Sequence, residues 1–249
     1  PAQWSGVLPC ADCQGIRQTL DLHPDGAFHW RSEYLGKPPL DIPDDGGRWL
    51  FGSDGRTLLL FGGREAPVRF VLRDDGALRL LDLEGRPIRS TLNYELRRVP
   101  GEFKAFEPRL RLRGAYTYFA DAAMLLDCAT GQRLPVAMEG ASLDLERAYT
   151  GARPAPAGAP RIVLLEGRIA QRAPMEGPGT RPTLVVDRFL RLGAAGEACP
   201  PPPANLPLEG TRWRLTQLQG GPVEKPGGRT REAFLQFDAT AMRVTGSGG

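Results

Sequence analysis

Turn dipeptides centred on glycine punctuate the first hundred residues so often that no long helix fits between them. Pro24-Asp25-Gly26, Asp54-Gly55, Gly62-Gly63, Asp75-Gly76 and Glu84-Gly85 each interrupt short apolar runs, and Gly beside Asp supplies the positive φ that tight hairpin turns need. Between the breaks, Ile16 to Leu22 alternates with period two, and Phe28, Trp30, Ser32 and Tyr34 share one face of the next run. Further runs lie at Arg48 to Phe51, Thr57 to Phe61, Val68 to Leu72, Leu78 to Asp82 and Thr91 to Leu96. Counting the stretch near Trp4 to Leu8, about eight short strands at regular spacing predict a small antiparallel barrel, which removes its own edges.

A linker-like stretch, Val99 to Lys104, leads to a second unit. Its expected strands are Leu110 to Phe119, Met124 to Asp127, Arg133 to Ala137, Arg161 to Arg168 and Thr183 to Leu192. A helix is expected near Ser142 to Ala152, where Leu145, Ala148, Tyr149 and Ala152 recur at i, i+3, i+4 and i+7. Three strands, a helix and two strands is the order of an OB-type five-stranded barrel. The prolines Pro200 to Pro203 then read as a stiff spacer. From Leu208 a third segment offers strands at Thr211 to Leu218, Ala233 to Phe237 and Met242 to Thr245. It is too short for a core of its own and reads as an incomplete domain. The fold class is therefore all-β, in domains at 1–99, 105–200 and 207–249.

Charge excludes more than it suggests. The 32 basic and 29 acidic residues leave +3 and interleave almost everywhere, as in Leu110-Arg111-Leu112-Arg113, which is the pattern of a half-buried strand. Nucleic acid is not an expected partner, because that needs a clustered basic face. No run approaches the roughly 18 apolar residues of a membrane-spanning helix. No phosphate loop, nucleophile elbow or His-Glu-x-x-His is present, so no enzyme is expected. The chain opens at Pro1 without Met, as a processed or cut chain would.

The four cysteines carry the chemistry. Cys10 and Cys13 form a Cys-x-x-Cys on an expected turn between the first two strands, whereas Cys128 and Cys199 lie far apart. Structural zinc would need two such pairs or added histidines; there are two histidines, His23 and His29, at no ligand spacing. Disulfides in an oxidising compartment are the leading reading. For Cys10 and Cys13 three readings stay open: a disulfide enclosing two residues, a soft-metal site for Cu(I) or zinc, and a redox-active thiol pair. For Cys128 and Cys199, about 70 residues apart, a bridge is structural at the least and a redox sensor at the most. His29 lies opposite Phe28 and Trp30 and reads as a surface or lumen residue. Met124, Met138, Met175 and Met242 read as filler. Trp4, Trp30, Trp49, Tyr34 and Phe51 read as barrel packing, with a small apolar ligand in the lumen as the alternative.

Gly6-Val7-Leu8-Pro9-Cys10-Ala11-Asp12-Cys13-Gln14-Gly15-Ile16, with Tyr34-Leu35-Gly36, Asp82 to Ile88 and Asn93-Tyr94, resembles the N-terminal domain of the NlpE family of envelope lipoproteins. Gly114 to Ala123, Asp127-Cys128-Ala129-Thr130-Gly131, Leu145 to Tyr149 and Leu165-Glu166-Gly167 are similar to that family's C-terminal OB domain. Leu208 to Leu215 is similar to the start of META (HslJ-like) domains. The resemblance implies a reduced lipocalin-like barrel followed by an OB barrel. It implies a lipid-anchored protein on the periplasmic face of the Gram-negative outer membrane, with a lipid-bearing Cys that is absent from these residues. It further implies a sensor or adaptor in envelope stress and copper homeostasis whose partner is a membrane-bound sensor histidine kinase of the Cpx type. Cys128 and Cys199 are then the redox-monitoring pair, and Cys10 and Cys13 the candidate copper ligands. No cofactor is expected to be required.

Overall fold

Alternating apolar side chains and glycine turns build the first barrel strand by strand. In the computed structural model, the described residues are 1–62, 67–152, 156–174, 177–200, 212–215, 217–218, 221–222, 233–238 and 243–247. The strands β1 (Ala2–Leu8), β2 (Gly15–Leu22), β3 (Ala27–Leu35), β4 (Asp45–Phe51), β5 (Thr57–Phe61), β6 (Val68–Leu72), β7 (Leu78–Leu80) and β8 (Glu95–Arg98) each pair antiparallel with the next. The barrel closes where β8 returns to β1, with Trp4 opposite Arg98 and Ser5 opposite Arg97. Closure is tight at Gly6, where a Cβ would sit 2.5 Å from the Glu95 carbonyl oxygen. Only glycine lets the two backbones meet there.

The inward-facing residues fill this barrel. Leu20, Phe28, Trp30, Leu58, Leu60, Phe70, Leu78 and Leu96 form one buried cluster, and Trp30 meets Phe70 edge-on at 5.9 Å between ring centroids. Trp4 and Trp49 pack at its margin, each anchored by its indole N–H: Trp4 donates to the Gly76 carbonyl at 3.0 Å and Trp49 to that of His23 at 2.9 Å. Phe51 remains exposed at the rim. The last strand starts later than the expected Thr91. Ser90 and Asn93 side chains bond to the backbone of Leu92 and Glu95, and such local bonds compete with a ladder.

The second barrel consists of β9 (Arg109–Phe119), β10 (Ala122–Asp127), β11 (Arg133–Gly140), β12 (Arg161–Arg172) and β13 (Arg181–Leu192), in closed order β10-β11-β13-β12-β9. The β11–β13 pair is parallel, which is the OB arrangement. Helix α1 (Ser142–Gly151) connects β11 to β12. Its buried Leu145 and Tyr149, one turn apart, enter the barrel core. Tyr149 meets Tyr116 edge-on at 5.2 Å and donates its hydroxyl to the Ala159 carbonyl at 2.8 Å, so the one polar atom of the plug is satisfied. Strands β12 and β13 run longer than expected because their ladder continues from Ile169–Leu184 to Arg172–Arg181.

Residues 99–104, read from sequence as a linker, and the four residues after them are fastened to the first barrel as a strap. Val99 donates its N–H to the Gln3 carbonyl at 2.8 Å, and Phe106 its N–H to the Asp21 carboxylate at 3.2 Å. Residues 1–202 form one compact unit and residues 203–249 a second. In the second unit β14 (Arg212–Arg214), β17 (Phe234–Asp238) and β18 (Arg243–Ser247) make a three-stranded antiparallel sheet, and β15 (Gln217–Leu218) pairs with β16 (Gly221–Pro222). Met175, Thr211, Met242 and the prolines Pro201 to Pro203 lie outside the described residues. No helix among the described residues is long and apolar enough to cross a membrane.

Candidate functional site

Two cysteine pairs, at opposite ends of the sequence pattern, are each held by a turn. Cys10 and Cys13 are bridged across the loop between β1 and β2. Gln14 ties that loop to β3, donating its N–H to the Leu35 carbonyl at 3.1 Å. Asp12 stands exposed between the two cysteines and pairs with Lys37 at 2.5 Å. The Lys37 ammonium holds the Asp12 carboxyl below its ordinary range. The Cys10 and Cys13 sulfurs and an Asp12 oxygen lie within 4.8 Å of one another. Bridged sulfurs carry no thiolate, so the group could ligate a soft metal only after reduction.

Cys128 is bridged to Cys199. It sits in the turn from β10 to β11, and that turn is built by Asp127. The Asp127 carboxylate accepts the N–H groups of Ala129 at 3.2 Å and Thr130 at 3.1 Å, and the Thr130 hydroxyl at 2.5 Å. Such a buried acceptor cannot be lost cheaply. Asp127→Ala should lower the unfolding free energy of the OB barrel by roughly 1–3 kcal/mol, read as a shift in its denaturant midpoint. A midpoint equal to wild type would mean that the turn holds itself without the side chain.

Cys199 is placed by a second set of bonds. Glu197 accepts from Arg113 at 3.0 Å, from Arg191 at 3.4 Å and from the Ala194 N–H at 3.1 Å. These bonds, the Arg113 one first, draw its carboxyl down to about 2. Arg113 also donates to the Ala198 carbonyl at 3.0 Å, and its guanidinium lies 3.9 Å from the Cys128 sulfur. One arginine on β9 thus faces both halves of the bridge.

The Cys128 turn is also where the two barrels grip each other. Arg48 of β4 donates to the Thr130 carbonyl at 2.9 Å, and Gln132 donates to the Asp25 carboxylate at 2.6 Å. Beside this grip lies a cleft of about 580 Å³. Leu110, Leu112, Leu164 and Ile169 line it from the second barrel, and His29, Pro43 and Gly46 from the first, with Cys128 and Pro200 at its side. His29 is therefore neither a surface nor a lumen residue. It faces outward from its barrel, as the alternation requires, and is 7% exposed because the strap and the second barrel cover it. Periodicity tells which face a side chain takes, and it is silent on what later covers that face.

Sequence patterning missed the charged anchors. Asp21 is fully buried and accepts from Gln3 at 2.7 Å. Arg31 bonds Asp44 at 2.8 Å and the Glu107 carbonyl at 2.8 Å. Asp44 in turn accepts the Arg109 N–H at 2.8 Å, where β9 begins. An Asp and an Arg at alternating strand positions look solvent-facing until the strap is in place.

Comparison with known proteins finds a family match on each barrel. The model of the NlpE N-terminal domain matches residues 4–91, and that of the NlpE C-terminal OB domain matches residues 107–200. The chain is 39% identical over 155 residues to Lipoprotein NlpE of Escherichia coli (strain K12), a match spanning 61% of this chain and 62% of that protein. The crystal structure of the Cpx pathway activator NlpE from Escherichia coli shares 34% identity, with 76% of this chain and 95% of that chain covered and a TM-score of 0.32. A putative lipoprotein from Shewanella oneidensis shares 32% identity over 39% of this chain and 86% of its own, with a TM-score of 0.33. Both domains match in the family's order, one on each barrel, and this chain belongs to the NlpE family.

Proposed function

We propose that the chain is the periplasmic part of a lipid-anchored outer-membrane protein that senses envelope stress and activates a Cpx-type sensor kinase by protein contact, without catalysis of its own. The family relation supports this reading, since the Escherichia coli member is a lipoprotein and an activator of the Cpx pathway. One observation carries the mechanism: the turn that holds Cys128 is the turn by which the OB barrel grips the first barrel through Thr130 and Gln132. Opening the Cys128–Cys199 bridge removes the covalent tie from that turn. Without that tie the OB barrel opens more readily, and in the opened molecules the grip on Arg48 and Asp25 is lost and the first barrel is freed to meet its partner. In cells producing the anchored protein, the double variant Cys128→Ser, Cys199→Ser should raise a Cpx reporter above the wild-type level. An unchanged reporter at equal protein abundance would sink the reading.

A second reading rests on the Cys10, Asp12 and Cys13 donors, of which Asp12 is exposed and the two cysteines are half-buried. After reduction, two thiolates would take Cu(I) at this loop, in keeping with a role in copper homeostasis. A Cu(I) titration of the reduced protein should then find one site that the variant Cys10→Ser, Cys13→Ser lacks. Equal uptake by both proteins would remove it.

A further inference from the structure

The two histidines of the chain, His23 and His29, touch each other beneath the strap. His23 Nε2 and His29 Nδ1 are 3.1 Å apart, a hydrogen bond whose donor is set by the tautomers of the two rings. The strap roofs the pair with two aromatic rings: Phe103 meets His23 edge-on at 5.7 Å, and Phe106 meets His29 at 6.5 Å. Phe106 is itself pinned, with the Arg31 guanidinium 4.3 Å over its ring and its N–H on Asp21. Gln3 adds a bond to the Lys104 carbonyl at 3.2 Å. The strap is the covalent path between the barrels, and its last residues lead directly into the Asp44–Arg109 contact.

We infer that the strap is an acid-released latch, closed while His23 and His29 are neutral and opened when the pair takes up an additional proton. The charge that the additional proton brings would lie against the Phe103 and Phe106 rings, which keep much of the water from the pair. Lifting the strap restores that water. The charge balance around the pair is mixed. Asp21, Asp25, Asp44 and Asp45 come from the first barrel and Asp127 from the second, against Arg31, Lys104, Arg111, Arg113 and the amino group of Pro1. Asp25 is engaged by Gln132 and Asp44 by Arg31, and the pull of Asp25 on the imidazoles is outweighed by their burial.

The protonation preferences follow this geometry. Burial, and then the neighbouring His23, push His29 from 6.5 down to about 3. Burial likewise lowers His23, against a smaller pull from Asp21 and Asp25. With the strap lifted, the rings return toward their ordinary value. The closed state therefore keeps its full stability above about pH 6.5 and loses it progressively as pH falls toward 3. Asp21 acts in the opposite sense: burial raises its carboxyl, so the closed state gains as that carboxyl is protonated. The test window is accordingly placed at imidazole pH, above the carboxylate range. At pH 5.5 the His29 shift alone makes opening about tenfold more favourable than at pH 7.5.

Hydrogen exchange on the full chain at pH 7.5 and 5.5, corrected for the intrinsic pH dependence of exchange, reads this directly. Protection in residues 99–109 should fall about tenfold at pH 5.5, while core amides of β2 and β5 stay unchanged. His29→Asn should remove most of the difference. Because that variant changes a buried residue, the wild-type imidazole titration by NMR serves as the second measurement. His29 should titrate far below 6.5, and Phe106→Ala, which unroofs it, should bring it back up. Equal strap protection at both pH values, a pH response undiminished in folded His29→Asn, or a His29 titration unmoved by Phe106→Ala would each overturn the latch.

Discussion

Replacing Cys128 and Cys199 together by serine should lower the stability of the OB barrel by roughly 4 kcal/mol, the largest single loss expected for the second barrel. The bridge closes a loop with a sequence separation of 71. Cross-linking such a loop removes chain entropy from the unfolded state in proportion to the logarithm of its length. The native state around the bridge does not rely on it alone, because Asp127 builds one side and Arg113 with Glu197 places the other. The loss should therefore appear as a shift in stability with the fold retained. In a thermal melt followed by circular dichroism, the transition assigned to the second barrel should move down by roughly 15 °C or more. Transitions assigned to the first barrel should stay in place. A second-barrel midpoint within a degree or two of wild type would show that the unfolded chain is already restrained without the bond.

Phe70→Ala should cost the first barrel about 3–5 kcal/mol. Phe70 is fully buried, faces Trp30 edge-on, and sits in the cluster with Leu58, Leu78 and Leu96. Phe70 lies within the barrel's own buried cluster, so the vacated space must be filled by the barrel's own strands. Those strands are tied on both sides: β6 pairs with β5 and with β7. Little collapse is available, which places the expected loss toward the upper part of the range. Urea unfolding with the slope held constant would measure it. A cost under about 1 kcal/mol would mean that the interior is looser than its contacts indicate.

The barrels themselves were legible in the sequence, because period-two alternation and glycine turns are short-range properties. Leu20, Phe28 and Trp30 could be assigned inward from their neighbours alone, and the three-strand, helix, two-strand order pointed to the OB arrangement of the second unit. Strand ends were less legible: Ser90 and Asn93 redirect the chain before β8, and the long β12–β13 ladder outruns its hydrophobic signal. The cysteines were visible as a spacing. Their surroundings were not. Arg113, Glu197, Asp127 and Arg48 meet across separations that no local window spans. The histidines show the same limit most plainly, since His29 alternates correctly to the outer face and is buried only by residues from elsewhere in the chain.

The position of Cys199 also fixes an order of events. A chain grows from its N-terminus, so Cys10 and Cys13 emerge together and can close their small ring at once. Cys128 emerges long before its partner, which lies beyond β13, the last strand of the second barrel. Nothing brings Cys199 back until β13 has slotted in between β11 and β12. Throughout that interval Cys128 is a thiol in waiting, open to any oxidant or stray partner it meets. Once formed, the bond certifies a finished barrel, and a population of chains with an open Cys128 is a record of assembly that has fallen behind synthesis.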